Sequence, residues 1–416
     1  MKLLALLLTI LLTFGAVSCQ KEPPPDTSME FNAETDCQYY LTRAGNYPVA
    51  ETEDGYYYVN NTWTPGFLRF IDKETLQDTI LCGKPNCLHT EESEKENCNA
   101  FIGDGKWMNI YHYKGDIYTV AIVRDPATYA RTYQLTKISK DGSARKKVWD
   151  LTWRDQDEFR NLHQDFMHRG KLYFIVYKSV TGDDNPMQMY SYDLKTKKCT
   201  PVLTEVQGLD YVVARGDYLF YTAYDPELKY LHAYRYTIST GDIMSFPERR
   251  RTNMYSEGIL YERIDTFLNF YHTDLEGMNR EEFGLSYDQA FAANDKYIVI
   301  SRTKFIHKET GEEYTYDEYL RFMEFDATGM TPEEEAREFT RRDEQYKVVF
   351  DREQTIYDIN TLEEIGKVLI PSGLAITYFK GDYLIGIDDD SGLFAMIDFT
   401  KLGTDEFKWV TSSKVN

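Results

Sequence analysis

The 416-residue sequence is poor in groups that do chemistry on their own: six Cys, seven His and five Trp. It carries no Gly-x-Ser-x-Gly elbow, which leaves the common serine-hydrolase arrangement without its nucleophile. A His-Glu-x-x-His zinc helix, a phosphate-binding P-loop and a dinucleotide fingerprint are absent as well. Positive charge is also short. Lys and Arg total 47 against 68 Asp and Glu, giving a formal net charge of −21. A surface that acidic cannot neutralise phosphates, so nucleic acid is excluded as a partner. Beyond residue 14 no apolar run approaches the roughly 20 residues that a transmembrane helix needs.

What is present begins at the amino terminus. Lys2 precedes an apolar run from Leu3 to Phe14, followed by Gly15-Ala16-Val17-Ser18-Cys19. A basic start, a short apolar stretch and small residues before a cut make an export signal. The small residues ending in Cys resemble the lipobox of bacterial lipoproteins, with Ala16 where Leu is commoner. The resemblance implies a signal peptide over 1–18 and lipidation of Cys19. It places the mature chain outside the cytoplasm, on the outer face of a bacterial membrane. Residues 19–36 are polar, hold a Pro triplet and lack apolar periodicity, and are expected to be a flexible tether. Because the body is acidic, acyl chains rather than basic residues would hold it at an anionic membrane.

From residue 37 onward two turn motifs alternate. The first is a Gly or Asn turn feeding an aromatic strand. Its copies include Asp54-Gly55-Tyr56-Tyr57, Lys114-Gly115-Asp116, Arg169-Gly170-Lys171, Arg215-Gly216-Asp217 and Lys380-Gly381-Asp382, with looser ones at Glu257-Gly258 and Asn294-Asp295. The second is a strand ending in an acidic or small polar residue and a Thr or Gly turn. It recurs at Asp72-Lys73-Glu74-Thr75, Ser139-Lys140-Asp141-Gly142, Asp193-Leu194-Lys195-Thr196, Ser239-Thr240-Gly241, Asp274-Leu275-Glu276-Gly277, Asp358-Ile359-Asn360-Thr361 and Asp398-Phe399-Thr400-Lys401. The same order seven times, in units of about 40 to 60 residues rich in short strands, predicts an all-β fold, a β-propeller over 37–416. The motif count gives seven blades, with six or eight as alternatives. The sixth unit is longer, and residues 303–349 read as a helical insertion laid over one face. Thr331-Pro332-Glu333-Glu334 supplies its N-cap, a Pro at the first helical position and a capping box. Ala336, Phe339 and Tyr346 would form a thin apolar edge. Phrases such as Ile138-Ser139-Lys140-Asp141-Gly142-Ser143 resemble the blades of TolB-type propellers.

Five further cysteines follow Cys19, at 37, 82, 87, 98 and 199. Three of them form Cys82-x4-Cys87-x-His89-x8-Cys98, with Pro85-Asn86 at the centre of a turn. Three thiolates and an imidazole complete a tetrahedral set for a structural zinc, with no position left open for catalysis. A disulfide between two of these cysteines is the competing reading, because exported proteins retain disulfides; a reactive thiol is a third. The segment resembles a Cys-rich stretch of propeller-like bacterial surface lipoproteins. Cys37 and Cys199 remain for one disulfide or for burial.

The function expected is binding or sensing of a glycan, a peptide or an envelope protein at the propeller mouth. The alternatives are a glycan hydrolase or lyase with an acidic pair in the channel, and a structural scaffold marked by an exposed apolar patch. Trp107, Trp149 and Trp153 are candidate sugar platforms. Asp388-Asp389-Asp390-Ser391-Gly392 could in principle hold Ca²⁺, but it lacks the alternation of an EF-hand loop and reads as a solvated turn. The other six histidines show no ligand spacing.

Overall fold

A computed structural model describes residues 26–38 and 49–414, apart from short internal segments, chiefly 60–65, 90–96, 104–108, 154–158, 179–185, 255–258, 263–268 and 274–280. The expected signal peptide and Cys19 lie outside the described residues. The described residues of the ring form seven sheets, each built on a four-stranded antiparallel meander in chain order, over 49–80, 109–153, 159–207, 210–249, 251–286, 290–369 and 374–411; the first also takes Phe101–Gly103 and Ser413–Lys414, making six strands. The protein is a β-propeller. Each sheet is a meander, and the first strands of neighbouring sheets lie beside one another around the axis, as Val49–Glu51 does with Asn109–Tyr113.

The two recurring motifs are the turns at one end of these meanders. The first motif joins the first and second strands, and the second joins the third and fourth. The reason for the recurring acid is visible at Asp72, Asp193 and Asp358. Each carboxylate accepts the backbone N–H groups two and three residues on, fixing a tight turn. The motif copies at Glu257-Gly258 and at 274–277 fall outside the described residues.

Apolar wedges fill the gaps between sheets. Ala50, Tyr57, Val59 and Leu68 of the first sheet pack on Ile110, Ile117 and Ile138 of the second. Phe166, Phe174, Tyr133 and Leu219 join the second, third and fourth. Polar side chains stitch the first strands together. Asn109 donates to Asp165 (2.7 Å) between the second and third sheets. The Gln164 amide pairs with both backbone groups of Val212 between the third and fourth.

The ends of the chain close the ring. Tyr56, Tyr58 and Ile71 of the first sheet pack against Ile385, Ile387 and Phe394 of the seventh. Lys380 and Glu51 form an ion pair across the same seam (2.8 Å). Ser413–Lys414 adds a short parallel strand to Gln77–Asp78 at the outer edge of the first sheet. Inside that sheet the fully buried Asp78 accepts from Arg69 (2.8 Å) and from the Tyr58 hydroxyl (2.7 Å), so the buried charge is paired and hydrogen-bonded.

The insertion leaves and re-enters the sixth sheet between its second and third strands, Tyr297–Ile300 and Glu353–Asp358. It holds a three-stranded sheet (Thr303–His307, Glu313–Tyr314, Tyr346–Phe350) and two helices, α1 (Tyr316–Met323) and α2 (Pro332–Asp343). The capping box forms as the sequence predicts: Thr331 Oγ1 accepts the Glu334 N–H, and the Glu334 carboxylate accepts the Thr331 N–H (2.8 Å). The packing differs from expectation. The insertion has its own aromatic core, where Tyr346 meets Tyr319, Phe322 and Tyr314 and Phe305 stacks on Tyr319 at 4.2 Å. Tyr346 belongs to a strand rather than to the helix edge, α2 buries no residue, and Phe339 is 52% exposed.

The stretch expected to be a flexible tether is held against the body from Asp26 on. Its fixings are mainly backbone groups and charges rather than a periodic apolar face. The Glu34 carbonyl accepts the Lys114 N–H (2.8 Å), and the Thr35 carbonyl accepts the Arg169 N–H (2.6 Å). The Arg169 guanidinium reaches Asp36 (2.9 Å) and the carbonyls of Asp26 and Ser28. Phe31 lies beneath Arg215 and Lys380, at 5.4 and 5.2 Å. Met29 covers Gly216 so closely that a Cβ there would stand 2.4 Å from its sulfur, and φ is +57°, so only glycine fits. The segment thus crosses the axial turns of the second, third, fourth and seventh sheets.

Candidate metal centre

The cysteine loop fills the outer part of the wedge between the first two sheets. It leaves the first sheet at Ile80, and the Gly83 N–H binds the Gly142 carbonyl in the third-to-fourth turn of the second sheet (3.0 Å). Asn99 Nδ2 donates to the same carbonyl (2.8 Å). Gly142 lies at φ +70°, and a Cβ there would come within 2.6 Å of the Leu81 carbonyl oxygen. Two turn residues, Asn86 and His89, adopt positive φ (63° and 60°), which folds the loop back on itself.

This folding brings together the four residues that the sequence singled out. One ligand atom from each of Cys82, Cys87, His89 and Cys98 lies within 4.8 Å of all the others. His89 Nδ1 stands 3.2 Å from both the Cys87 and the Cys98 sulfurs. A tetrahedral zinc with Zn–S near 2.3 Å sets its donor atoms roughly 3.5 to 3.8 Å apart, so the donor set fits that ion in number, chemistry and spacing. None of the five described cysteines is in a disulfide: Cys37 is buried, Cys199 is exposed, and no disulfide joins the cluster.

The surroundings favour thiolate at one position. Burial opposes ionisation of Cys82, but N–H groups of Lys84 and Asn99 and the neighbouring thiols hold it below the ordinary thiol value. Burial pushes Cys98 up to about 12, with Cys87 and Cys82 adding to the rise and the Ala100 N–H opposing it. Crowded thiols that cannot all ionise alone are an arrangement a divalent cation resolves, by displacing their protons. The Arg145 guanidinium donates to the Cys98 carbonyl (3.2 Å), and Phe67 meets His89 edge-on at 6.2 Å.

The other candidate residues are dispersed. Trp149 stacks on Tyr192 at 4.7 Å and packs on Phe174, between the second and third sheets, so it is no sugar platform. Trp107 lies outside the described residues, as does the side chain of Trp153. Asp388 accepts the Ser391 N–H and hydroxyl and so caps its own turn. His112 is buried near the Ala33 carbonyl and accepts the Gly115 N–H.

Two axial groups escaped the sequence reading. Asp165 is buried beside Tyr111, Tyr133 and Asn109, and burial raises its carboxyl to about 6. His168 accepts the Cys37 N–H at Nδ1 and meets the Gly216 carbonyl at Nε2 (2.8 Å); burial lowers its pKa to about 4. Neither stands in a motif, because the strand placing each at the axis has no distinctive spacing. A small cavity under the N-terminal segment, lined by Asp36, Cys37, Tyr111, His112 and Met167 among others, has room for little more than a water molecule.

No family model and no curated protein matches the chain. Among solved structures it is similar to the acylaminoacyl peptidase of Pyrococcus horikoshii, at 10% identity and a TM-score of 0.48, over 92% of this chain and 54% of that one. The chain thus spans about half the length of that peptidase. It is similar to TolB from Acinetobacter baumannii, at 14% identity and a TM-score of 0.36, over 88% and 78% of the two chains. The oligogalacturonate lyase of Vibrio parahaemolyticus aligns at 9% identity and a TM-score of 0.46, over 88% and 91%.

Proposed function

We propose that the chain is an exported, lipid-anchored propeller that binds or senses a glycan, a peptide or a protein at the cell envelope, with a structural zinc pinning its first two sheets. The observation that carries binding over hydrolysis is that the described axial carboxylates already have partners. Asp36 is engaged by Arg169, Glu51 by Lys73 and Lys380, and Asp165 by Asn109 and Tyr111. A hydrolase or lyase pair must stay free to take and give protons across a gap near 5 or 6.5–9.5 Å. These acids hold the ring together instead. Anchoring through Cys19 rests on the export signal and on the resemblance of 15–19 to a lipobox.

The test uses the chain from residue 19 with Cys19→Ser, screened against envelope glycans and peptides. Saturable binding without product release is the expected result. Turnover of any bound glycan, abolished by replacing an axial acid, would establish the enzyme instead. Lipidation is read separately, as the mass of the amino-terminal peptide from membranes.

A further inference from the structure

The docked segment and the insertion occupy opposite faces of the ring. In a four-stranded meander, successive turns alternate between the two ends of the sheet. The first-to-second turns, at 113–116, 168–171, 215–218 and 380–383, are the ones that residues 26–38 cross. The insertion springs from a second-to-third turn, in the sixth sheet, and so from the other end. Asp26, the first described residue, is held by the Arg169 guanidinium at an axial turn.

We propose that this clasp fixes how the propeller sits on the bilayer: the face crossed by residues 26–38 is turned to the lipid surface, and the face bearing 303–349 points away from it. The inference rests on acylation of Cys19. Seven peptide steps separate Cys19 from Asp26, and even fully extended they reach only about 25 Å. A body of this length has a radius of gyration near 21 Å and hence a radius of roughly 27 Å. Its thickness along strands of eight residues is about as large. To bring the insertion to the membrane, the linker would have to run from the axis over the rim and down the side, roughly 50 Å. It is half long enough. If the clasp were released, the chain from Cys19 through residue 38 would be free, and its nineteen peptide steps reach about 65 Å, more than that path. The ring is therefore oriented by the clasp and not by the lipid alone, and its acidic charge adds no attraction to either face.

Energy transfer tests this on the full mature, acylated chain in vesicles of phosphatidylethanolamine and phosphatidylglycerol carrying an acceptor-labelled lipid. A donor is attached through a click-reactive amino acid at Lys195, in an exposed third-to-fourth turn on the clasped face, or at Arg337 on α2. Transfer at Lys195 is expected to exceed that at Arg337 several-fold. The pair Asp36→Ala and Arg169→Ala should narrow that ratio toward one. Equal transfer at the two sites in protein that floats with vesicles overturns the orientation while leaving the anchor standing. Protein that carries no acyl mass on Cys19 and does not float overturns both.

Discussion

The imidazole of His168 accepts the backbone N–H of Cys37 at Nδ1 (3.1 Å), joining residues 131 positions apart and fastening the amino-terminal segment to the axis of the ring. Only the neutral ring can do this, because protonation removes the acceptor. Burial holds His168 neutral, lowering its pKa to about 4, with Asp36 opposing and Arg169 and Arg215 supporting that shift. Three positions before it, burial keeps Asp165 protonated to about pH 6.

These two groups tilt stability in opposite directions over one pH window. A depressed His contributes stability above pH 6.5 that is lost as pH falls toward 4, whereas a raised Asp contributes stability below pH 4 that is lost as pH rises through 6. Each effect is at most about 3 kcal/mol. Urea unfolding from pH 4 to 7 should therefore separate the variants. Relative to wild type, Asp165→Asn should lose stability toward acid, and His168→Gln toward neutrality. Parallel profiles for the two variants would show that neither group titrates where its burial places it.

The ion pair of Arg169 with Asp36 is 13% and 3% exposed at its two side chains. Asp36→Ala leaves a nearly buried guanidinium without its carboxylate, a loss of about 3 kcal/mol. The expected sign is faster amide exchange at residues 28–37 and early proteolytic cleavage there, with the ring still folded. Unchanged protection of the segment would contradict its fixing by this pair.

Metal analysis of the purified chain should return about one zinc, lost on replacing Cys87 and His89 together. A strong chelator should lower the melting temperature and raise exchange in residues 81–89. The expectation fails if no metal is found and mass spectrometry recovers Cys82 cross-linked to Cys87.

Gly142 ligates nothing, yet its carbonyl takes N–H groups from both Gly83 and Asn99, and its backbone admits no Cβ. Gly142→Ala should push the loop off the second sheet and weaken zinc binding by about 10- to 100-fold, the usual effect of losing a support behind the ligands. Competition with a chromophoric chelator measures it. Wild-type affinity would mean that the loop is held by its ligands alone.

The sequence showed the ring because its period is written in turn chemistry. Asp193 with Thr196 and Arg169 with Gly170 are local requirements that any copy must meet. The metal cluster was equally legible, since four ligands within seventeen residues need only one reversal, which Pro85-Asn86 supplies. The docking of residues 26–38 was not, because it depends on backbone carbonyls meeting turns far away in sequence, Glu34 with Lys114 and Thr35 with Arg169. Met29 and Phe31, two apolar residues in a polar stretch, were the one available hint. The packing of α2 was hidden for the opposite reason. Its cap is local and came true, but which side Phe339 faces depends on a neighbour that the pattern does not name.

Thr303 and Phe350 pair across adjacent strands where the insertion departs and returns. Its two ends are thus about 5 Å apart, the spacing of neighbouring strands, while its interior is supplied by its own rings. Such a graft draws little support from its host and imposes little strain on it. That module could be lengthened, traded or deleted without renegotiating the sheets of the ring, much as a tool is changed in a fixed chuck.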